Sequence, residues 1–107
     1  MDAQLKKGSL EVCILAALLR EDSYGYKIIQ SLNEVVDISE STLYPILRRL
    51  QQNECLTSYS IEHNGRLRKF YSITAKGKER IKEYLLDFKE LMNIYNFIAK
   101  EVKESAQ

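Results

Sequence analysis

From Ala75 to Ser105 the chain reads AKGKERIKEYLLDFKELMNIYNFIAKEVKES, with apolar residues at Ile81, Leu85, Phe88, Met92, Tyr95, Ala99 and Val102. Those steps of four and three make an unbroken heptad seam. Tyr84, Leu91 and Ile98 add a flanking stripe, and Thr74 is placed to cap the helix. About 29 residues of helix run to ~43 Å, more than the compact part of a 107-residue chain can cover. The seam therefore asks for a partner, and the simplest is a second copy of the same chain. A domain this short often gains stability by association.

The residues ahead of that helix divide into three further helical patterns. The first spans about Lys7 to Leu19. Leu10, Val12, Ile14, Leu15, Ala17, Leu18 and Leu19 surround most of it. A helix apolar nearly all round is buried on several sides, so it should sit between two other elements. Leu10 and Ile14 are expected at the dimer contact, against the seam. Glu21 and Asp22 form a loop, and Ser23 is the expected cap of a second helix through about Glu34. Tyr24, Ile28, Ile29 and Leu32 would be its inner face, with Gly25 near its start where the helix packs or turns tightly.

The third helix begins at Ser39, with Ile38 and Leu43 spaced as a hydrophobic staple. In STLYPILRRL, residues 41–50, the stripe Leu43, Ile46, Leu47 and Leu50 faces inward, and Ser41, Tyr44, Arg48 and Gln51 share the opposite side. Pro45 interrupts this run and leaves the Ser41 carbonyl without its usual donor, a cost of up to ~3 kcal/mol in a helix interior. Two readings stand. The proline is a tolerated kink, or the kink sets the angle at which Ser41, Tyr44 and Arg48 are displayed.

Residues 55–74, CLTSYSIEHNGRLRKFYSIT, favour strands, and Asn64-Gly65 is a strong two-residue hairpin signal. With those two residues as the turn, Leu56 opposes Ile73 and Ser58 opposes Tyr71, on a face that packs on the helices. Tyr59, Phe70, Arg66 and Arg68 then occupy the other face.

The composition, 45% hydrophobic and 29% charged, is that of a soluble globular protein, and the expected location is cytoplasmic. No apolar run approaches the ~20 residues of a membrane helix, and Glu11, just ahead of the first apolar run, argues against a signal peptide. Cys13 and Cys55 sit among apolar neighbours and read as free buried thiols. The net charge is only +1, but residues 39–80 hold eight basic and four acidic groups, a net +4. Nucleic-acid binders often show such a concentration. His63 stands alone beside the turn, with no Cys or carboxylate cluster at metal spacing. No nucleophile–base pair or phosphate loop appears either, so no enzyme, metal or cofactor is expected.

Three helices, then a hairpin with a basic tip, is the layout of a winged helix-turn-helix, whose third helix enters the major groove. The expected fold is mostly α with a small β-hairpin. Residues 1–74 would form the DNA-binding domain and residues 75–107 the dimerisation helix. Arg66, Arg68 and Lys69 supply charge for phosphates. Tyr44 can stack or hydrogen-bond, and Arg48 can reach a phosphate or a guanine edge. Arg49 could instead bridge to an acidic neighbour. A winged helix that binds protein is the alternative, but it would need an apolar patch where this chain has polar and basic groups.

STLYPILRRLQQNECL, followed by NGRLRKFYSITAKG, with YGYKII in the second helix, resembles the PadR family of transcriptional regulators over essentially the whole chain. The likeness is to its short branch, which ends in a single helix. The resemblance implies a homodimeric repressor of double-stranded DNA, of a kind often released by a small-molecule effector or a stress signal. By analogy Tyr24 and Lys27, Ser41, Thr42 and Tyr44, and Arg66, Arg68 and Lys69 would face DNA. Some relatives hold flat ligands between tryptophans of the last helix, and this chain has no Trp. Phe88, Met92 and Tyr95 could line such a site, but they read more naturally as dimer core.

Overall fold

Ile38 and Leu43 are both buried in the core, and Ser39 between them accepts a hydrogen bond from the Thr42 backbone N–H. This cap and staple start the helix that positions everything else. The computed structural model describes residues 3–106; the outermost residues of the two expected segments, 1–74 and 75–107, lie outside that range. The order is α1 (Ala3–Ala16), β1 (Ser23–Tyr24), α2 (Gly25–Leu32), α3 (Glu40–Gln52), β2 (Leu56–His63), β3 (Arg66–Ile73) and α4 (Ala75–Ser105). Four helices with a three-stranded antiparallel sheet, ordered β1-β3-β2, make a winged helix carrying a long C-terminal helix. No helix among the described residues is long and apolar enough to cross a membrane.

The wing has the expected register. Leu56 pairs with Ile73 and Ser58 with Tyr71, and the strands run on to His63 and Arg66. Asn64 at φ 53° and Gly65 at φ 78° both take the left-handed backbone that a two-residue type I′ turn requires. Leu56 and Tyr71 are buried against the helices. Thr74 caps α4 by accepting from the Gly77 N–H, as its place in the sequence suggests.

Three expectations are corrected. First, α1 runs Ala3–Ala16, not Lys7 to Leu19. Its end tightens into short-range turns, with the Leu18 N–H on the Leu15 carbonyl and the Leu19 N–H on the Ala16 carbonyl. Leu19 is exposed, whereas Glu11 is buried on a helix expected to be apolar all round. Second, Ser23 does not cap α2. Ser23 and Tyr24 form β1 and pair with Tyr71 and Phe70 of β3. Long-range strand pairing outweighs the local capping preference, and α2 is left with Gly25–Leu32, its N-cap position held by Tyr24 without a side-chain cap. Third, Ile14, expected on the dimer surface, has no exposure at all, and Ile81 is buried too. Both belong to the core of their own chain.

Gly77 seats the first turn of α4. A Cβ there would overlap the Cys55 carbonyl oxygen and come within 2.7 Å of Ile73 Cγ1. Neither neighbour is a free side-chain end, so the backbone must move. Gly77→Ala should therefore lower stability by about 1–3 kcal/mol, the usual range for overpacking. Urea unfolding at fixed protein concentration checks this, and an unchanged midpoint would contradict the close seating.

Candidate nucleic-acid interface

The buried stripe of α3 (Leu43, Ile46, Leu47, Leu50) turns Tyr44, Arg48 and Gln51 outward. They meet the sheet face that carries Leu67, Lys69 and Tyr71, and a cleft of about 740 Å³ opens between helix and wing. Tyr24, Gly25, Tyr26 and Arg68 complete its lining, so the described residues around it include three cations and no carboxylate. Gln51 Nε2 donates to Ser58 Oγ at 3.0 Å and joins α3 to the wing. Gly25 accounts for the seat of Tyr44. A Cβ at residue 25 would stand 2.5 Å from the Tyr44 hydroxyl and 2.9 Å from Cζ.

Strand alternation divides the wing cations. Lys69 faces the cleft, its Nζ 5.7 Å from the centre of the Tyr71 ring. Arg68 projects on the other face, and its guanidinium lies 4.3 Å from the Tyr24 ring centre. Tyr24 packs edge-on to Phe70 at 5.3 Å, and Phe70 stacks on Tyr59 at 5.8 Å. The Tyr59 hydroxyl donates to Asp22 Oδ2 at 2.6 Å. A row of three rings thus braces the outer face of the wing from the β1 loop.

The structure brings Tyr24, Tyr44, Arg48, Arg68 and Lys69 together around the cleft. Ser41 and Thr42 lie elsewhere. Both hydroxyls bond to Ser39 Oγ, at 2.8 and 3.2 Å, and they flank a shallow depression shared with Pro45, Lys6 and Lys7. Arg66 sits at the wing tip beside His63 and Asn64. Lys27 is half-buried and paired with Glu21 at 2.6 Å. That pairing raises the Lys27 pKa and lowers that of Glu21. Arg49 pairs with an acidic residue, as its ambiguous place on α3 allowed, and the partner is Glu11 at 3.4 Å. Sequence reasoning did not place Lys6 and Lys7 beside α3, where they line the shallow depression; their only signal was a basic pair ahead of α1's apolar run. It also left Gln51 without a role.

A winged helix with a polar, basic cleft fits a transcriptional-regulator architecture, and the similarity to known proteins agrees. The model of the transcriptional regulator PadR-like family matches residues 14–83, and the chain belongs to that family. A PadR-like transcription factor from Bacteroides fragilis is 39% identical, with TM-score 0.80 over 90% of this chain and 95% of that one. A PadR-like transcriptional regulator from Bacillus cereus is 32% identical, with TM-score 0.75 over 90% and 96%. PadR of Bacillus subtilis, solved in complex with operator DNA, shares the fold at 23% identity, with TM-score 0.68 over 72% of this chain and 46% of that one.

Burial raises the Tyr71 phenol above its ordinary value of 10.0; the nearby Tyr44 adds to this and Arg48 opposes it. The folded state therefore holds this proton more tightly than the unfolded chain does. The resulting stability is complete below pH ~10 and is lost as pH rises through the folded value. Melting temperatures measured across the alkaline range should fall above pH ~10, and less steeply in Tyr71→Phe. An equally steep fall in that variant would remove Tyr71 as the cause.

Proposed function

We propose that this chain is a homodimeric, sequence-specific repressor of transcription that reads double-stranded DNA. Residues 1–74 carry the reading surface and residues 75–107 join two copies. The observation that carries the reading is the cleft where Tyr44 and Arg48 of α3 face Lys69 of the wing, with Arg68 also in a lining whose described residues include no carboxylate. Such a surface matches a polyanion with readable base edges. Beside Leu67 and the tyrosine rings, the described lining is basic and polar, which suits a polyanion better than the apolar partner of a protein-binding winged helix. The operator complex of the Bacillus subtilis protein, on the same fold, supports the same reading.

The dimer follows from α4. Its 31 residues bury only Gly77 and Ile81 within the chain. Leu85, Phe88, Met92, Tyr95 and Val102 of the expected seam are exposed, and so are Leu86, Leu91, Ile94, Phe97 and Ile98. Leu85, Phe88, Leu91, Met92, Tyr95, Ile98 and Val102 share one side of the helix, and a continuous apolar face of that extent marks an interaction surface; Leu86 and Phe97 lie on the opposite side. A second copy of the helix supplies a matching face, with Leu10 and Ala99 at its margins. A flat effector that releases DNA would enter at Phe88, Met92 and Tyr95.

Two experiments test these assignments. Arg66→Ala and Lys69→Ala should weaken binding to all duplexes alike and reduce the salt slope by about one each, as loss of a phosphate contact does. Tyr44→Ala should weaken a selected operator more than random DNA. The reverse pattern would mean that wing and helix are assigned backwards. Separately, Leu85→Glu combined with Met92→Glu places charges in the seam, and sedimentation should show monomers. A dimer of unchanged mass would rule the seam out.

A further inference from the structure

Glu11 is a carboxylate with 6% of its surface exposed, in the middle of α1. It accepts from two arginines on two different elements. Oε1 takes Arg49 Nη2 of α3 at 3.4 Å, and Oε2 takes Arg80 Nη2 of α4. Arg49 also keeps a buried Nε with no partner among the described residues. The carboxylate is buried, whereas the two arginine side chains remain 37% and 36% exposed. An ion pair with a buried member is a weak source of stability compared with apolar residues of similar volume, and register or switching is the best-attested reason for a chain to carry one. Here the pair joins specific parts. Arg80 is one residue before Ile81, the last buried residue of α4. Arg49 is in the last turn of α3 and follows Arg48 of the cleft.

We infer that Glu11 is a positioning residue that ties the seating of α4 to the orientation of the DNA-reading helix. Arg80 holds one oxygen of the carboxylate and Arg49 shares the other. A shift of α4 at its buried end moves Glu11, and with it the tether on the last turn of α3. The chain then has a route by which a change in how two C-terminal helices pack reaches Tyr44 and Arg48. This inference rests on the DNA-binding reading above. Arg80 is not part of the cleft lining, so an effect of Arg80 on DNA binding has to pass through other groups.

The probe is the duplex that the wild-type protein retains from a random-sequence pool, compared at fixed salt with an unselected duplex. Arg80→Gln should weaken the selected duplex by at least about fivefold, the lower end of coupling between sites. The unselected duplex, the salt slope and the sedimentation coefficient should stay as in the wild type. In a Glu11→Gln background the same Arg80→Gln change should cause no further loss. Equal losses on both duplexes with a reduced salt slope would make Arg80 a phosphate contact and overturn the proposal. Additive losses in the double variant would also overturn it, because Arg80 would then act without Glu11. Should Glu11→Gln fail to fold, Arg80→Lys carries the test. A retained cation opposite Glu11 should restore affinity for the selected duplex, and a loss equal to that of Arg80→Gln overturns the proposal. A wild-type protein that selects no duplex refutes the DNA-binding reading itself. Selection by the wild type with equal affinity in all variants refutes only the role of Glu11.

Discussion

Leu43, Leu47 and Leu50 are sealed from water, at 0, 1 and 0% exposure, and the rotation of α3 about its own axis follows from that. Each such side chain contributes about 1.5–3 kcal/mol by burial. Turning the helix by one residue, about 100°, would expose leucines and bury Arg48. The apolar stripe, rather than any contact of Tyr44 or Arg48, decides that these two residues look across at the wing. The proposed reading surface is thus the polar remainder of a helix whose position is set from behind. The wing is oriented in the same way, since Leu56 and Tyr71 are buried and the alternation of the strand puts Lys69 and Leu67 beside them on the cleft side.

Local patterns made much of this legible in the sequence. The turn at Asn64-Gly65 needs two positive φ angles, which this pair adopts readily, and a two-residue turn leaves one register for the strands. The cap at Ser39 and the cap at Thr74 are side-chain contacts within three residues. The heptads of α4 are periodic over its whole length, so the helix and its uncovered face could both be read before any tertiary contact was known.

What was not legible depends on contacts distant in sequence. Ser23 had the composition of a cap and became a strand residue because Tyr71, at the far end of the wing, supplies its backbone partner. Gly25 was legible as a place where the helix packs or turns tightly, but nothing in the sequence showed that Tyr44 is the residue that fits into its space. Glu11 was legible only as a charge just ahead of the first apolar run. Its partners Arg49 and Arg80 are 38 and 69 residues away, beyond the reach of any periodicity. The expectation that Ile14 belongs to an interface failed for the same reason. An apolar helix side shows that it is covered, but not whether the cover comes from the same chain or from another.

Pro45 brings these threads together. It is exposed, and α3 continues unbroken from Glu40 to Gln52 around it. Thr42 and Leu43 donate to the Ser39 carbonyl, and Ser39 Oγ also accepts from the Thr42 N–H. The first turn is therefore secured ahead of the gap that the proline leaves. The freed Ser41 carbonyl belongs to an exposed residue, where water can satisfy it, and the ~3 kcal/mol of a buried interior proline does not apply. What remains is the benefit of a fixed φ. A proline in a compatible helical position restricts the unfolded chain and stiffens the turn that presents Tyr44. A surface already held in its binding shape loses less freedom on association. On the proposed reading, in which α3 meets a groove at a set angle, a stiff turn one residue after Tyr44 compensates for the backbone hydrogen bond that Pro45 does not make.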